Sequence, residues 1–309
     1  MRKPIYVVAL TVTLLVATWS GRPASGAVLD ATEIGNGLLV QVNTVTNVVT
    51  PLANVGGAPD SLIFDSLGRI IYSDLFGSVI LFTPGPNTKT TLASGLSSPQ
   101  DLALDPSGTS VLVTDTGSGR VLRVTLVPGV PTVLKSGLSS PRGITYDNAG
   151  NLFLVTTSDG TIRQIDPITG ATIKSLSLGS TIIDGITFDP VTGSLFVADG
   201  ASLIKVPTSL ASFSILTPTN GGVSFIDGLE SDGAGNIFLA DSSAQHVVQY
   251  IIASNMTGTS TTVPSLDDIA PIVGGGAPPS RVPEPSTLFL LGSGLVGLAG
   301  NAWRRHRRK

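Results

Sequence analysis

The sequence predicts an all-β fold, a six-bladed propeller, from three observations. A motif recurs at anchor aspartates Asp65, Asp105, Asp147, Asp189 and Asp232, with spacings of 40, 42, 42 and 43 residues. Each repeat holds four short β-rich runs with Gly or Pro at the joints, and none shows helical periodicity. The partial motifs at the two ends of the repeat array complement one another. Four strands per forty-odd residues is the arithmetic of a propeller blade.

The chain of 309 residues opens with Met1-Arg2-Lys3, an apolar run from Ile5 to Ala17, and the small residues Ala24-Ser25-Gly26-Ala27. Basic, apolar and small residues in that order predict a signal peptide over residues 1–26, removed on export. The propeller is expected over 27–273. Its first piece, LDATEIGNGLLVQV, aligns with VLVTDTGSGRVLRV of a full repeat and supplies a second and third strand. NVVTPLA adds a fourth. The absent first strand is expected from Asp267-Asp268-Ile269-Ala270, so that both ends of the array staple one blade and leave no open sheet edge.

Five full repeats follow, opening as Pro59-DSLIFDSLG, Pro99-QDLALDPSG, Pro141-RGITYDNAG, Ile183-DGITFDPVTG and Ile226-DGLESDGAG. The second runs are RIIYSD, SVLVTD, NLFLVT, SLFVAD and NIFLAD, and third runs such as SVILFT and HVVQY follow them. A variable Thr/Ser/Val run, such as TKTTLAS or PTVLKS, supplies the fourth strand. The phrases Pro-x-Gly-Ile-x-x-Asp at 141–147 and Gly-Asn-x-Phe-x-x-Asp at 235–241 resemble NHL-type repeats. That resemblance implies a propeller fold but no single activity, because propellers host binding modules, lyases, lactonases and scaffolds alike.

After an expected linker at 274–281 comes Val282-Pro283-Glu284-Pro285-Ser286, then an apolar run from Leu288 to Trp303, then Arg304, Arg305, Arg307, Arg308 and Lys309. As a helix the run would be about 24 Å long, short of the roughly 30 Å hydrocarbon core but within reach of snorkelling arginines. The cations fit the cytoplasmic end of a transmembrane anchor. The three parts in order, over 282–309, resemble the PEP-CTERM sorting signal. That resemblance implies that Pro283, Glu284 and Pro285 are recognised by exosortase, a membrane protease-transpeptidase of Gram-negative bacteria that make extracellular polysaccharide. Proline on both sides of Glu284 keeps the segment extended and accessible to a protease.

The chain has no cysteine, which excludes disulfides and thiolate metal sites. Between the two terminal segments stand ten basic and twenty acidic residues. A basic footprint for nucleic acid is absent. His306 belongs to the tail, leaving His246, read as a turn residue. The anchor aspartates, and the second column Glu33, Asp74, Asp115, Asp199 and Asp241 with Thr156 in place of an acid, recur too regularly for a unique site. They are read as caps of backbone N–H groups in turns.

A less uniform column follows each repeat's opening residue: Asp60, Gln100, Arg142, Asp184, Asp227 and Asp267. If the first strands are innermost, these side chains gather at one rim of the central channel. Such a ring could hold calcium through oxygen ligands or a sugar by hydrogen bonds, or stand solvated with Arg142 as counter-charge. Glu230 is the nearby glutamate a lactonase-type metal site would require. No cofactor is otherwise expected. The resulting expectation is an exported propeller that binds or builds at the cell surface or in the polysaccharide matrix. Its partners would be a Sec-type translocon, signal peptidase, exosortase, and polysaccharide or envelope proteins. A metal-assisted lactonase, a lyase and an envelope scaffold are the alternatives.

Overall fold

A computed structural model describes residues 28–218 and 222–271. The expected signal peptide, linker, Pro-Glu-Pro motif and membrane helix lie outside the described residues. Among those described, no helix is long and apolar enough to cross a membrane. The described chain forms six four-stranded antiparallel sheets, as the repeat predicts.

Blade 1 is the stapled one: Leu266–Pro271, then Val28–Glu33, Leu38–Asn43 and Val48–Asn54 from the inside out. Leu29 stands opposite Pro271, Ala31 opposite Ile269 and Glu33 opposite Leu266. Blades 2 to 6 are continuous and open with the inner strands Pro59–Phe64, Pro99–Leu104, Pro141–Tyr146, Ile183–Asp189 and Ile226–Ser231. Each inner strand packs against the next, and that of blade 1 closes the circle between blades 6 and 2.

The residue pattern explains this arrangement. Second strands such as SVLVTD and NIFLAD are buried on both faces, because each blade is sandwiched between two others. Fourth strands such as TKTTLAS are exposed along most of their length. The apolar core accordingly divides into six clusters, one at each blade–blade contact. Leu29 and Val40 of blade 1 meet Phe238 and Val247 of blade 6. Phe153 of blade 4 meets Leu195 and Ile204 of blade 5. Around the axis, acidic and polar side chains stand beside apolar ones such as Phe64, Leu104 and Phe188.

Glycines let the inner strands converge. A methyl group on Gly143 would stand 2.6 Å from the Ile186 backbone nitrogen, and one on Gly185 would stand 2.8 Å from the Asp227 backbone oxygen. Glycine inside a strand marks such close backbone approach. Gly143→Ala is therefore expected to lower the unfolding free energy by about 1–3 kcal/mol, as overpacking does elsewhere. Urea denaturation would measure it; an unchanged midpoint would show that the inner strands are free to separate.

Candidate functional site

The anchor aspartates are structural. Asp65 accepts from the Leu67 and Arg69 N–H groups, each at 2.9 Å, and Asp147 from those of Ala149 and Asn151, each at 2.9 Å. Asp232 accepts from Ala234 at 2.7 Å and Asn236 at 3.0 Å. The second column ties turns to the loops that enter each blade. Asp74 receives the Ala58 N–H at 3.2 Å, Asp115 that of Ser97 at 2.7 Å and Asp241 that of Ser224 at 2.6 Å. His246 corrects the turn assignment: it is the first residue of the strand His246–Ile251, paired with Asp241.

The structure brings the six-residue column together around the axis. In every blade the inner strand carries a two-residue bulge opposite one residue of the second strand. Asp60 and Ser61 face Ser73, and Gln100 and Asp101 face Thr114. Arg142 and Gly143 face Val155, Asp184 and Gly185 face Ala198, Asp227 and Gly228 face Ala240, and Asp267 and Asp268 face Thr32. A bulge re-aims side chains that a regular strand would send to opposite faces. It therefore creates a second layer beneath the first: Ser61, Asp101 and Asp268 on one side of the ring, glycines on the other. Glu230, two residues beyond the blade 6 bulge, joins it.

Hydroxyl groups secure the acidic half. Thr32 Oγ1 accepts the Asp268 N–H at 2.9 Å and donates to the Asp60 carbonyl at 2.6 Å. Ser73 Oγ accepts the Ser61 N–H at 3.1 Å and donates to the Gln100 carbonyl at 2.6 Å. Asp101 joins three blades, accepting from Ser61 Oγ at 3.0 Å, Leu102 N at 2.7 Å and Ile144 N at 2.7 Å. Arg142 donates to Gln100 Oε1 at 2.8 Å and to Asp184 Oδ2 at 3.1 Å. Thr187 donates to Glu230 at 3.0 Å.

The ring residues and the layer of Ser61, Asp101, Glu230 and Asp268 line an axial cavity of about 800 Å³. It runs from the bulge ring to the turns that follow the inner strands, where Ser66, Pro106, Asn148 and Pro190 border it. Between the two ends its wall is Phe64, Leu104, Tyr146 and Phe188. Asp60 and Asp267 are only 9% exposed, whereas Gln100, Arg142, Asp184 and Asp227 are half-buried.

Burial sets the electrostatics. It pushes Glu230 up to about 8, with the Asp101 charge adding to the rise. It also raises Asp60, Asp101, Asp184, Asp267 and Asp268, most of them helped by neighbouring carboxylates. Among the described residues no three His, Cys, Asp or Glu side chains stand together in a way that could hold one metal ion. Of the cavity residues, Asp101, Asp268 and the layering itself escaped the sequence reading. The only trace was the column after the bulge, Ser, Asp, Gly, Gly, Gly, Asp, with glycine intruding into β-rich runs.

The comparisons concern the two parts of the chain separately. Residues 281–308 match the PEP-CTERM protein-sorting motif. No curated protein sequence matches the chain. Among solved structures, a chain of a nidogen/laminin complex superposes with a TM-score of 0.67 at 20% identity, over 80% of this chain and 98% of that one. A protein of unknown function from Bacteroides caccae gives 0.64 at 16%, over 80% and 99%. Virginiamycin B lyase from Staphylococcus aureus gives 0.58 at 14%, over 77% and 85%. At such identities the likeness shows the fold alone. The chain is a six-bladed β-propeller, resembling those of NHL type, that carries a PEP-CTERM protein-sorting motif at its C-terminal end.

Proposed function

We propose that the protein is exported, held in the inner membrane by its C-terminal segment, cut at Pro283-Glu284-Pro285 by an exosortase, and displayed as a binding or structural propeller at the cell surface or in the polysaccharide matrix. The observation that carries this reading is the sorting motif at 281–308, placed directly after a ring that is already closed at Pro271. The geometry lends support. Leu29 and Pro271 are neighbours at the end of blade 1 where the inner strands finish, which is the end onto which the axial cavity opens. A tail tethered to the membrane would turn that opening toward the bilayer, and cleavage would free it.

The test is expression in a host with and without an exosortase. The chain should shorten by its tail only when the enzyme is present. Glu284→Ala should leave most of the protein at full length in the membrane fraction, a shift of tenfold or more in the ratio of uncut to cut chain by immunoblot. Equal processing with and without the enzyme would overturn the reading.

The lyase alternative draws on the fold shared with virginiamycin B lyase. A variant of that lyase with one histidine replaced by alanine is catalytically inactive. Here His246, the one histidine among the described residues, lies on a third strand and does not line the cavity. That placement favours the binding reading.

A further inference from the structure

The cavity's charge balance points to the kind of ligand it takes. Arg142 is the only Lys or Arg among the described residues that line it, and it is engaged by Gln100 and Asp184. Among the described residues Asp60, Asp101, Asp227, Glu230, Asp267 and Asp268 have no cationic partner. Asp101 and Glu230 at least receive N–H or O–H donors. Asp60 and Asp267 are nine-tenths buried and line the cavity, and the partners they have there are other carboxyl groups: each hydrogen-bonds the other, and Asp267 also bonds Asp227.

Buried carboxylates whose neighbours are other carboxylates are costly, and they either share protons or take a cation from outside. A single metal ion would need several of them at one point, and no three gather so. The charge is instead spread over two layers, next to a wall of Phe64, Leu104, Tyr146 and Phe188. An apolar wall suits an organic body, and aromatic faces attract ammonium groups. The volume, about 800 Å³, is that of a site for a drug-sized molecule rather than for an ion and its waters.

We propose that the axial cavity binds an organic cation, a ligand with an ammonium head seated among Asp60, Asp227, Asp267 and Glu230 and an apolar body lying along Phe64, Tyr146 and Phe188. The ligand enters from the turn side, because the residues preceding the inner strands do not line the cavity. This deepens the reading of the propeller as a binding module but is independent of sorting, so its failure leaves the processing of the tail untouched.

The experiment is isothermal titration of the full chain in nonionic detergent at pH 8. Phenethylammonium is the probe, with 2-phenylethanol, its neutral analogue, beside it. The cation should bind saturably, and the alcohol at least tenfold more weakly. The double variant Asp60→Asn, Asp267→Asn replaces the two most buried ring carboxyls with neutral amides that can still hydrogen-bond each other and Asp227. At pH 8 it should melt no lower than the unsubstituted chain and lose at least tenfold in affinity for the cation. Titration in two buffers of different ionisation heat should show proton release, as the cation displaces protons held by the carboxyl groups. Equal binding of the alcohol, or unchanged affinity in the double variant, would overturn the proposal. So would binding of calcium or glucose in place of the ammonium probe.

Discussion

Deleting residues 266–271 is expected to abolish the cooperative fold, the largest effect any short deletion should have here. That segment is the inner strand of blade 1, through which the C-terminal end of the described chain pairs with its N-terminal strand. Without it Val28–Glu33 loses a whole ladder and becomes an open edge facing the axis. Leu266 and Ile269 leave the cluster they share with Leu29, Val40 and Phe238, and Ala270 leaves the cluster with Leu39 and Tyr72. Truncating one buried Leu or Ile costs about 2–5 kcal/mol, so losing two such side chains costs roughly 4–10. A domain's whole stability is about 5–15 kcal/mol. Inner strands 6 and 2 also lose the neighbour that spaces them. Circular dichroism melting should show no sharp transition, and size-exclusion chromatography should show aggregates. Ile269→Ala alone should cost about 3 kcal/mol and Ile269→Val only about 1. A deleted chain that melted within a few degrees of the intact one would mean that the ring does not need closing.

The staple was legible because closure obeys the same local grammar as the full repeats. Asp267-Asp268-Ile269-Ala270 aligns with the opening of every other inner strand, and Gly35-Asn36-Gly37 aligns with the turn of another second-to-third strand hairpin. The capping aspartates were legible for the same reason: one turn geometry, repeated, demands one residue type. What a repeat cannot display is what occurs once. Glu230 was visible as a residue, but nothing in its repeat marked it as part of a layer. Asp101 and Asp268 were hidden by the bulge. Strict strand alternation sends neighbours such as Gln100 and Asp101 to opposite faces, whereas the extra residue turns both toward the axis. The burial of Asp60 and Asp267 depends on how closely six strands converge, which the spacing of glycines hints at but does not measure.

The same cluster should make the protein more stable in mild acid than in mild base, against the usual trend for a carboxylate-rich domain. Glu230 titrates at about 8 instead of 4.5, and Asp30, buried in blade 1, at about 7 instead of 3.8. Asp60, Asp101, Asp184, Asp267 and Asp268 are shifted the same way by burial. Between about pH 4.5 and 8 the folded chain therefore holds protons that the unfolded chain has released. Stability then falls as pH rises through that window, since the slope follows the protons bound in the unfolded state minus those in the native state. Asp105 and Asp159 oppose this. Although burial works against them, Ser107 and Arg123 hold Asp105 low, and Arg163 and Thr156 hold Asp159 low. Their contribution is complete above about pH 4 and is lost only below it, outside the window. One group shifted by about three units represents roughly 4 kcal/mol. Protonating one carboxyl relieves the next, so the cluster together is expected to give a change of that order rather than a multiple of it. For a domain this size 1 kcal/mol moves the melting temperature by about 2–4 °C, so it should fall by about 10 °C from pH 5 to pH 8. Scanning calorimetry at fixed ionic strength reads this directly. Glu230→Gln and Asp267→Asn should each flatten the profile and raise the melting temperature at pH 8. A melting temperature that climbs steadily from pH 5 to pH 8 would show that the carboxylates are ionised and hydrated in the folded ring, and that the axis is a water-filled pore.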